Sequence, residues 1–143
     1  MKKLLVLLIL IATLAVAGCA EYNNNNSEDD LLPNETVVLF RDSFESNDAD
    51  MCYSLMSKEY KKENDAYAFL QTIDGYKNDE ALQYEFIGVK DFTVVEDVAS
   101  VDIEYNKKED VFGYSWETNK EKKIELVKEN GGWKFKEFPL ELI

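Results

Sequence analysis

The chain has 143 residues, 16 basic against 29 acidic, for a formal net charge of −13, and it contains no histidine. An acidic surface of this kind repels nucleic-acid phosphates, which need Lys and Arg, and disfavours close contact with an anionic membrane surface. The missing imidazole excludes histidine-dependent catalytic triads, histidine metal ligands and histidine general bases.

In chain order, the first feature is an apolar run. Lys2 and Lys3 precede Leu4 to Val16, in which Thr13 is the one polar interruption, and Ala17-Gly18-Cys19 follows at once. A charged start, an apolar middle and small residues form a secretory signal. The run is shorter than the roughly 20 residues that cross a bilayer. The sequence Val16-Ala17-Gly18-Cys19 resembles the lipobox of bacterial lipoproteins. That resemblance implies that Cys19 carries lipid (at least two acyl chains, palmitate among them), that the signal peptide 1–18 is removed, and that the protein is anchored on the extracytoplasmic side of a cell membrane or outer membrane. Two or more chains, at about 0.8 kcal/mol per buried CH₂, hold a protein on a bilayer stably. Removal of 1–18 takes away Lys2 and Lys3 and no acid, leaving 14 basic and 29 acidic residues, net −15. With Cys19 lipidated, Cys52 has no partner for an intramolecular disulfide and reads as a small buried hydrophobe.

After the lipidated cysteine, residues 19–33 read as a tether. Asn23 to Asn26 and Ser27-Glu28-Asp29-Asp30 carry no apolar periodicity. Residues 34–143 suit one domain with one core.

Helical spacing comes first. Asn34 is a candidate cap for a helix from Glu35, with Val37, Phe40, Arg41 and Phe44 on one side. Asp48 caps a second helix with Met51, Cys52, Leu55 and Met56 inward. Asn64 or Asp65 caps a third, where Ala66, Phe69, Leu70 and Ile73 face the core and Gly75 ends it. From Leu82 the period changes to two. Leu82, Tyr84 and Phe86 alternate with polar residues, Gly88 marks a bulge, and Phe92 to Val95 continue the strand. Glu96-Asp97 turns the chain into a strand with Ala99, Val101, Ile103 and Tyr105 inward. Asn106 to Asp110 reads as a polar turn. Phe112, Tyr114, Trp116, Ile124 and Leu126 share a parity along one long strand, interrupted by Lys120 and Lys122. Asn130-Gly131-Gly132 signals a hairpin, and Trp133, Phe135 and Phe138 complete the last strand.

Helices followed by an antiparallel meander predict an α+β fold with N-terminal helices packed on a curved antiparallel sheet. Three short helices, long strands and the closing hairpin Leu126-Val127-Lys128 … Gly131-Gly132-Trp133-Lys134 resemble the nuclear transport factor 2-like (cystatin-like cone) superfamily, including lipoprotein domains of uncharacterised function. The resemblance implies a cavity between the first helix and the sheet. Phe40, Phe44, Tyr84, Trp116 and Trp133 are the candidate pocket residues, with ordinary core packing as the competing reading. Relatives resembling ketosteroid isomerase use an acidic base with a tyrosine and an acid. Tyr53, Tyr60, Tyr84, Tyr105 and Asp102 match no such motif, and Asp102 has the outward parity. Asp48, Asp50 and Glu28-Asp29-Asp30 lack calcium-loop spacing, so no metal or cofactor is expected. Asn34-Glu35-Thr36 fits a glycosylation sequon and also a helix cap. The functional expectation is a non-enzymatic envelope lipoprotein that binds a protein or small ligand. A structural scaffold that homodimerises through its sheet is the alternative, and a small-molecule enzyme stands behind both.

Overall fold

The computed structural model describes residues 31–78, 82–111 and 114–142. The signal, Cys19 and most of the tether therefore lie outside the described residues, as does Phe112. Among the described residues, four helices, α1 (Pro33–Glu45), α2 (Ala49–Ser54), α3 (Lys58–Glu63) and α4 (Ala66–Lys77), precede four strands, β1 (Leu82–Val95), β2 (Val98–Val111), β3 (Tyr114–Glu129) and β4 (Gly132–Phe135). A 3₁₀ turn, η1 (Leu140–Leu142), follows. The strands form one antiparallel meander in the order β1-β2-β3-β4. The architecture is α+β, with helices on one face of a curved antiparallel sheet.

Local chemistry sets the helix ends. α1 starts one residue before the expected cap: Leu32 is its N-cap and Pro33 occupies the first turn, where a missing N–H costs nothing. The Glu35 carboxylate accepts from the Leu32 N–H at 2.8 Å. Asp48 and Asp65 cap α2 and α4, accepting from Met51 N at 3.0 Å and Ala68 N at 2.8 Å. α3 was not expected. Its sequence, Lys58-Glu-Tyr-Lys-Lys-Glu63, has no fully buried residue, so no apolar stripe announces it. What forms it is the Ser57 hydroxyl, accepting from Tyr60 N at 3.2 Å, with Glu59 in the first turn and Lys61 and Lys62 in the last, where each charge meets the favourable end of the helix dipole. Gly75 does not stop α4, which runs on to Lys77. On α4 only Phe69 and Ile73 are buried, while Ala66 and Leu70 are exposed. The apolar stripe is narrower than its sequence indicates because the helix lies at the margin of the core.

In the sheet, β1 shifts register between Phe86 and Gly88 and again between Val89 and Asp91, which bends the strand. The Glu96-Asp97 turn is present. Asn106 to Asp110 is not a turn: β2 continues through it to Val111 and pairs with both neighbours, Asn106 opposite Glu85 and Asn119. Polar residues stand at successive positions here, Asn106 and Lys107 half-buried and Lys108 exposed, and a run without alternation mimics a loop. At the closing hairpin Asn130 has φ 53° and Gly131 φ 97°, the positive pair of a two-residue type I′ turn. β4 ends at Phe135, so Phe138 lies beyond the strand it was expected to complete.

The core lies between the helices and the part of the sheet formed by residues 99–105 and 124–126 and by β4: Val37, Phe40, Cys52, Leu55, Met56, Phe69, Ile73, Ala99, Val101, Ile103, Tyr105, Ile124, Leu126, Trp133, Phe135 and Leu142. The segment after α2 adds a rung to the outer edge of β4. Phe135 N donates to Leu55 O, and Ser57 N to Phe135 O, each at 2.9 Å.

Candidate functional site

The expected pocket residues take different places. Phe40 is fully buried, its ring 5.0 Å from Phe135 and 6.1 Å from Phe138. Trp133 is buried on β4, with the Lys128 ammonium 5.6 Å from its ring centre. Phe44 is half-buried at the end of α1 under the Lys77 ammonium at 4.6 Å. Tyr84 is half-buried on β1, 5.8 Å from Tyr105. The Trp116 side chain lies outside the described residues, although its backbone pairs with Glu109. Phe40 and Trp133 are thus core packing, and no described cavity is lined by more than one residue of the set. Helical and strand parity identify which residues turn inward, but not which inward residues leave a gap.

Phe138 holds the centre of the aromatic network. Besides Phe40 it meets Phe69 at 5.6 Å and stacks on Tyr76 at 5.6 Å. Phe69 in turn touches Tyr53 and Tyr60. The stretch Lys136–Phe138 separates two depressions and lines both. One is a groove of about 550 Å³ bordered by Glu59, Tyr60, Glu63 and Asn64. The other is a cleft of about 310 Å³ between the edge of β3 and the C-terminal segment, lined by Lys122, Lys123, Ile124, Glu125, Lys136, Glu137, Phe138, Pro139 and Glu141.

The cleft arises because β4 is four residues long and β3 sixteen. Their pairing stops at Leu126 opposite Phe135. Lys136 N still donates to Glu125 O at 3.4 Å, and there the chain leaves the strand line and crosses towards η1. Three lysines and three glutamates face this space, a balanced set in a strongly acidic chain. Lys136 binds Glu125 at 2.8 Å, which pushes the lysine pKa up and the glutamate pKa down, mainly through that hydrogen bond. Lys122 binds Glu141 Oε1 at 2.5 Å. Glu141 is buried, and its Oε2 has no hydrogen-bond partner. Sequence reasoning missed this residue. Its signal was an acid between Leu140 and Leu142 in an otherwise apolar ending.

Hydrogen bonding to Glu121 raises the Lys90 pKa, and two further titratable groups are shifted chiefly by burial. The Cys52 thiol is pushed up to about 11 by desolvation and then by Asp48, and its Sγ lies 3.7 Å from Phe40 O. It is a protonated core group. The Tyr60 hydroxyl is raised by burial, with Tyr53 and Tyr76 adding to it. Asp102 sits on the outer face with its carboxylate 3.1 Å from Lys123, which agrees with its parity. Among the described residues, no three acidic or cysteine side chains are placed to hold a metal ion, and no helix is long and apolar enough to cross a membrane.

No family model matches the chain, and no curated protein matches it. Solved structures do. A provisionally assigned ketosteroid isomerase from Shewanella frigidimarina is 12% identical at TM-score 0.45, over 77% of this chain and 91% of that one. A Mycobacterium tuberculosis protein of unknown function, solved as a point variant, is 12% identical at TM-score 0.48, over 71% of this chain and 63% of its own length. An NTF2-like protein with a cystatin-like fold from Novosphingobium aromaticivorans is 14% identical at TM-score 0.48, over 71% and 73%.

Proposed function

We propose that this chain is an envelope lipoprotein, held by lipid on Cys19 at the extracytoplasmic side of a membrane, whose cone-shaped domain of the nuclear transport factor 2-like kind binds a ligand or partner without transforming it. The observation that carries the reading is Val16-Ala17-Gly18-Cys19 at the end of an apolar run flanked by Lys2 and Lys3. The low-complexity stretch before α1 fits a spacer between lipid and domain. For the domain, binding is supported by the charge-balanced cleft at the β3 edge, because a few polar groups beside apolar walls are what small-ligand sites offer. The filled space around Phe40 and the outward Asp102 argue against the acid–tyrosine arrangement of an isomerase.

The outer face of the sheet weighs against a dimerising scaffold. It carries Asp102 opposite Lys123, Asn119 bonded to Glu104 at 2.8 Å, Asn106 bonded to Glu85 at 3.2 Å, and Lys90 paired with Glu121. Such a face is already satisfied in water, whereas obligate interfaces are apolar at their centre.

The test is fractionation of cells expressing the full chain and its Cys19→Ser variant, with mass spectrometry of the purified protein. The expected outcome is a membrane-bound chain beginning at an acylated Cys19, and a variant released by carbonate washing. A chain retaining its initiator methionine, or a free thiol at position 19, overturns the reading.

A further inference from the structure

The cleft at the β3 edge offers a specific set of contacts. Glu141, nine-tenths buried, spends Oε1 on Lys122 and leaves Oε2 without a donor. A buried acceptor without a partner carries an unrecovered desolvation cost, so a ligand that brings an N–H to this oxygen recovers what the empty cleft forfeits. The Lys122 ammonium already balances the Glu141 charge. A bare cation would therefore add uncompensated charge, whereas a zwitterion would not. Because Glu125 O accepts from Lys136 N, Glu125 points its peptide groups towards the β4 side, and residues of the same parity in an antiparallel strand do likewise. Lys123 thus turns its N–H and C=O to an edge where, among the described residues, no strand continues. Ile124, Phe138 and Pro139 supply apolar wall; the Lys136 ammonium is paired with Glu125, while that of Lys123 reaches Asp102 on the outer face.

Taking the domain as a binding module, as proposed above, we infer that this cleft binds a short peptide with a free amino and a free carboxyl end. The ligand's ammonium is held by Glu141 Oε2, its peptide group by the Lys123 backbone, and its carboxylate by the Lys136 ammonium, whose bond to Glu125 uses one of its three N–H groups. A volume of about 310 Å³ admits a dipeptide and sits at the small end of small-molecule sites. Main-chain pairing at an open sheet edge is a general mode of peptide recognition.

The experiment is calorimetric titration of the full lipoprotein in detergent micelles with dialanine, N-acetyl-dialanine, dialanine amide and inorganic phosphate. Dialanine is expected to bind, with N-acetylation weakening it at least tenfold and amidation less. Glu141→Gln is expected to weaken dialanine at least tenfold with the melting temperature of the unliganded protein little changed. Should that variant fail to fold, the acetylated probe on the unaltered chain tests the same contact. Equal binding of dialanine and its acetyl form overturns the inference, as does a folded Glu141→Gln variant that binds unchanged. Binding of phosphate alone overturns the peptide class while leaving a ligand site. Binding of no probe overturns both the peptide and the cleft as its site, and the anchoring of Cys19 is then still decided separately by fractionation.

Discussion

The two halves of the sheet are made of the same strands and differ in nearly everything else. In the near half, Ala99, Val101 and Ile103 of β2 and Ile124 and Leu126 of β3 are buried beneath α1 and against Phe135. In the far half, Glu117 to Lys123 of β3 are all exposed. The hydrogen-bond ladder passes through both without a break, from Val98 opposite Val127 to Val111 opposite Tyr114. The ladder therefore does not decide where stability resides. The cover of helices does, since burial of apolar area contributes about 25 cal/mol per Å² whereas exposed cross-strand pairs contribute roughly 0.2–1 kcal/mol each. The near half holds the fold together. The far half is a charged extension, and its β3 edge, where cover begins to run out, is where the cleft forms.

The sharpest way to break this contrast is to empty the near half. Phe40 is fully buried between Phe135 and Phe138. Phe40→Ala is expected to destabilise the protein by about 3–5 kcal/mol, read as a lower urea midpoint with an unchanged slope. A loss under about 1 kcal/mol would mean that the space beside α1 is not packed as described, and would return Phe40 to the list of pocket residues.

The same contrast explains what the sequence discloses. Where a strand has a dry and a wet side, as from Ala99 to Ile103, alternation is legible and correct. Where polar residues occupy both parities, as from Asn106 to Asp110, a strand imitates a turn. α2 and α4 were legible from the caps Asp48 and Asp65, which stand next to apolar residues. α3 was not, because its half-buried residues, Tyr60 and Lys61, include one aromatic and make no apolar stripe. For the site, Phe40 and Trp133 were visible as inward residues, but parity cannot separate a filled gap from an empty one. The cleft depends on a difference between strand lengths and on a late chain segment, so no local pattern encodes Glu141 as its neighbour.

An intermediate effect is expected at the turn that joins the halves of the closing hairpin. Gly131 has φ 97°, and Asn130 φ 53°. A side chain in the left-handed region costs about 1–2 kcal/mol, and asparagine tolerates it better than alanine does. Gly131→Ala should lower stability by about that amount through β4, which carries Trp133 and Phe135 into the core. Asn130→Gly should leave stability equal or higher. The urea midpoints of the two variants check this, and a Gly131→Ala protein as stable as the parent would show that the hairpin is not held in this turn.

The smallest effect is expected from the exposed pair at the cleft rim, and its sign is set by the two pKa shifts. The Glu125 pKa is lowered in the fold, so its contribution is present above the unfolded value near 4.5 and is lost as pH falls through the depressed folded value. The Lys136 pKa is raised, so its contribution is present below the unfolded value near 10.5 and is lost as pH rises through the folded one. Glu125→Gln should accordingly flatten the acid side of the stability profile and Lys136→Met the alkaline side, each by little because both groups are in water and salt screens them. Both differences should shrink further in 1 M salt. If either substitution instead shifts stability at neutral pH as much as Gly131→Ala does, the rim pair belongs energetically to the covered half of the sheet, and the boundary between the halves lies beyond Glu125.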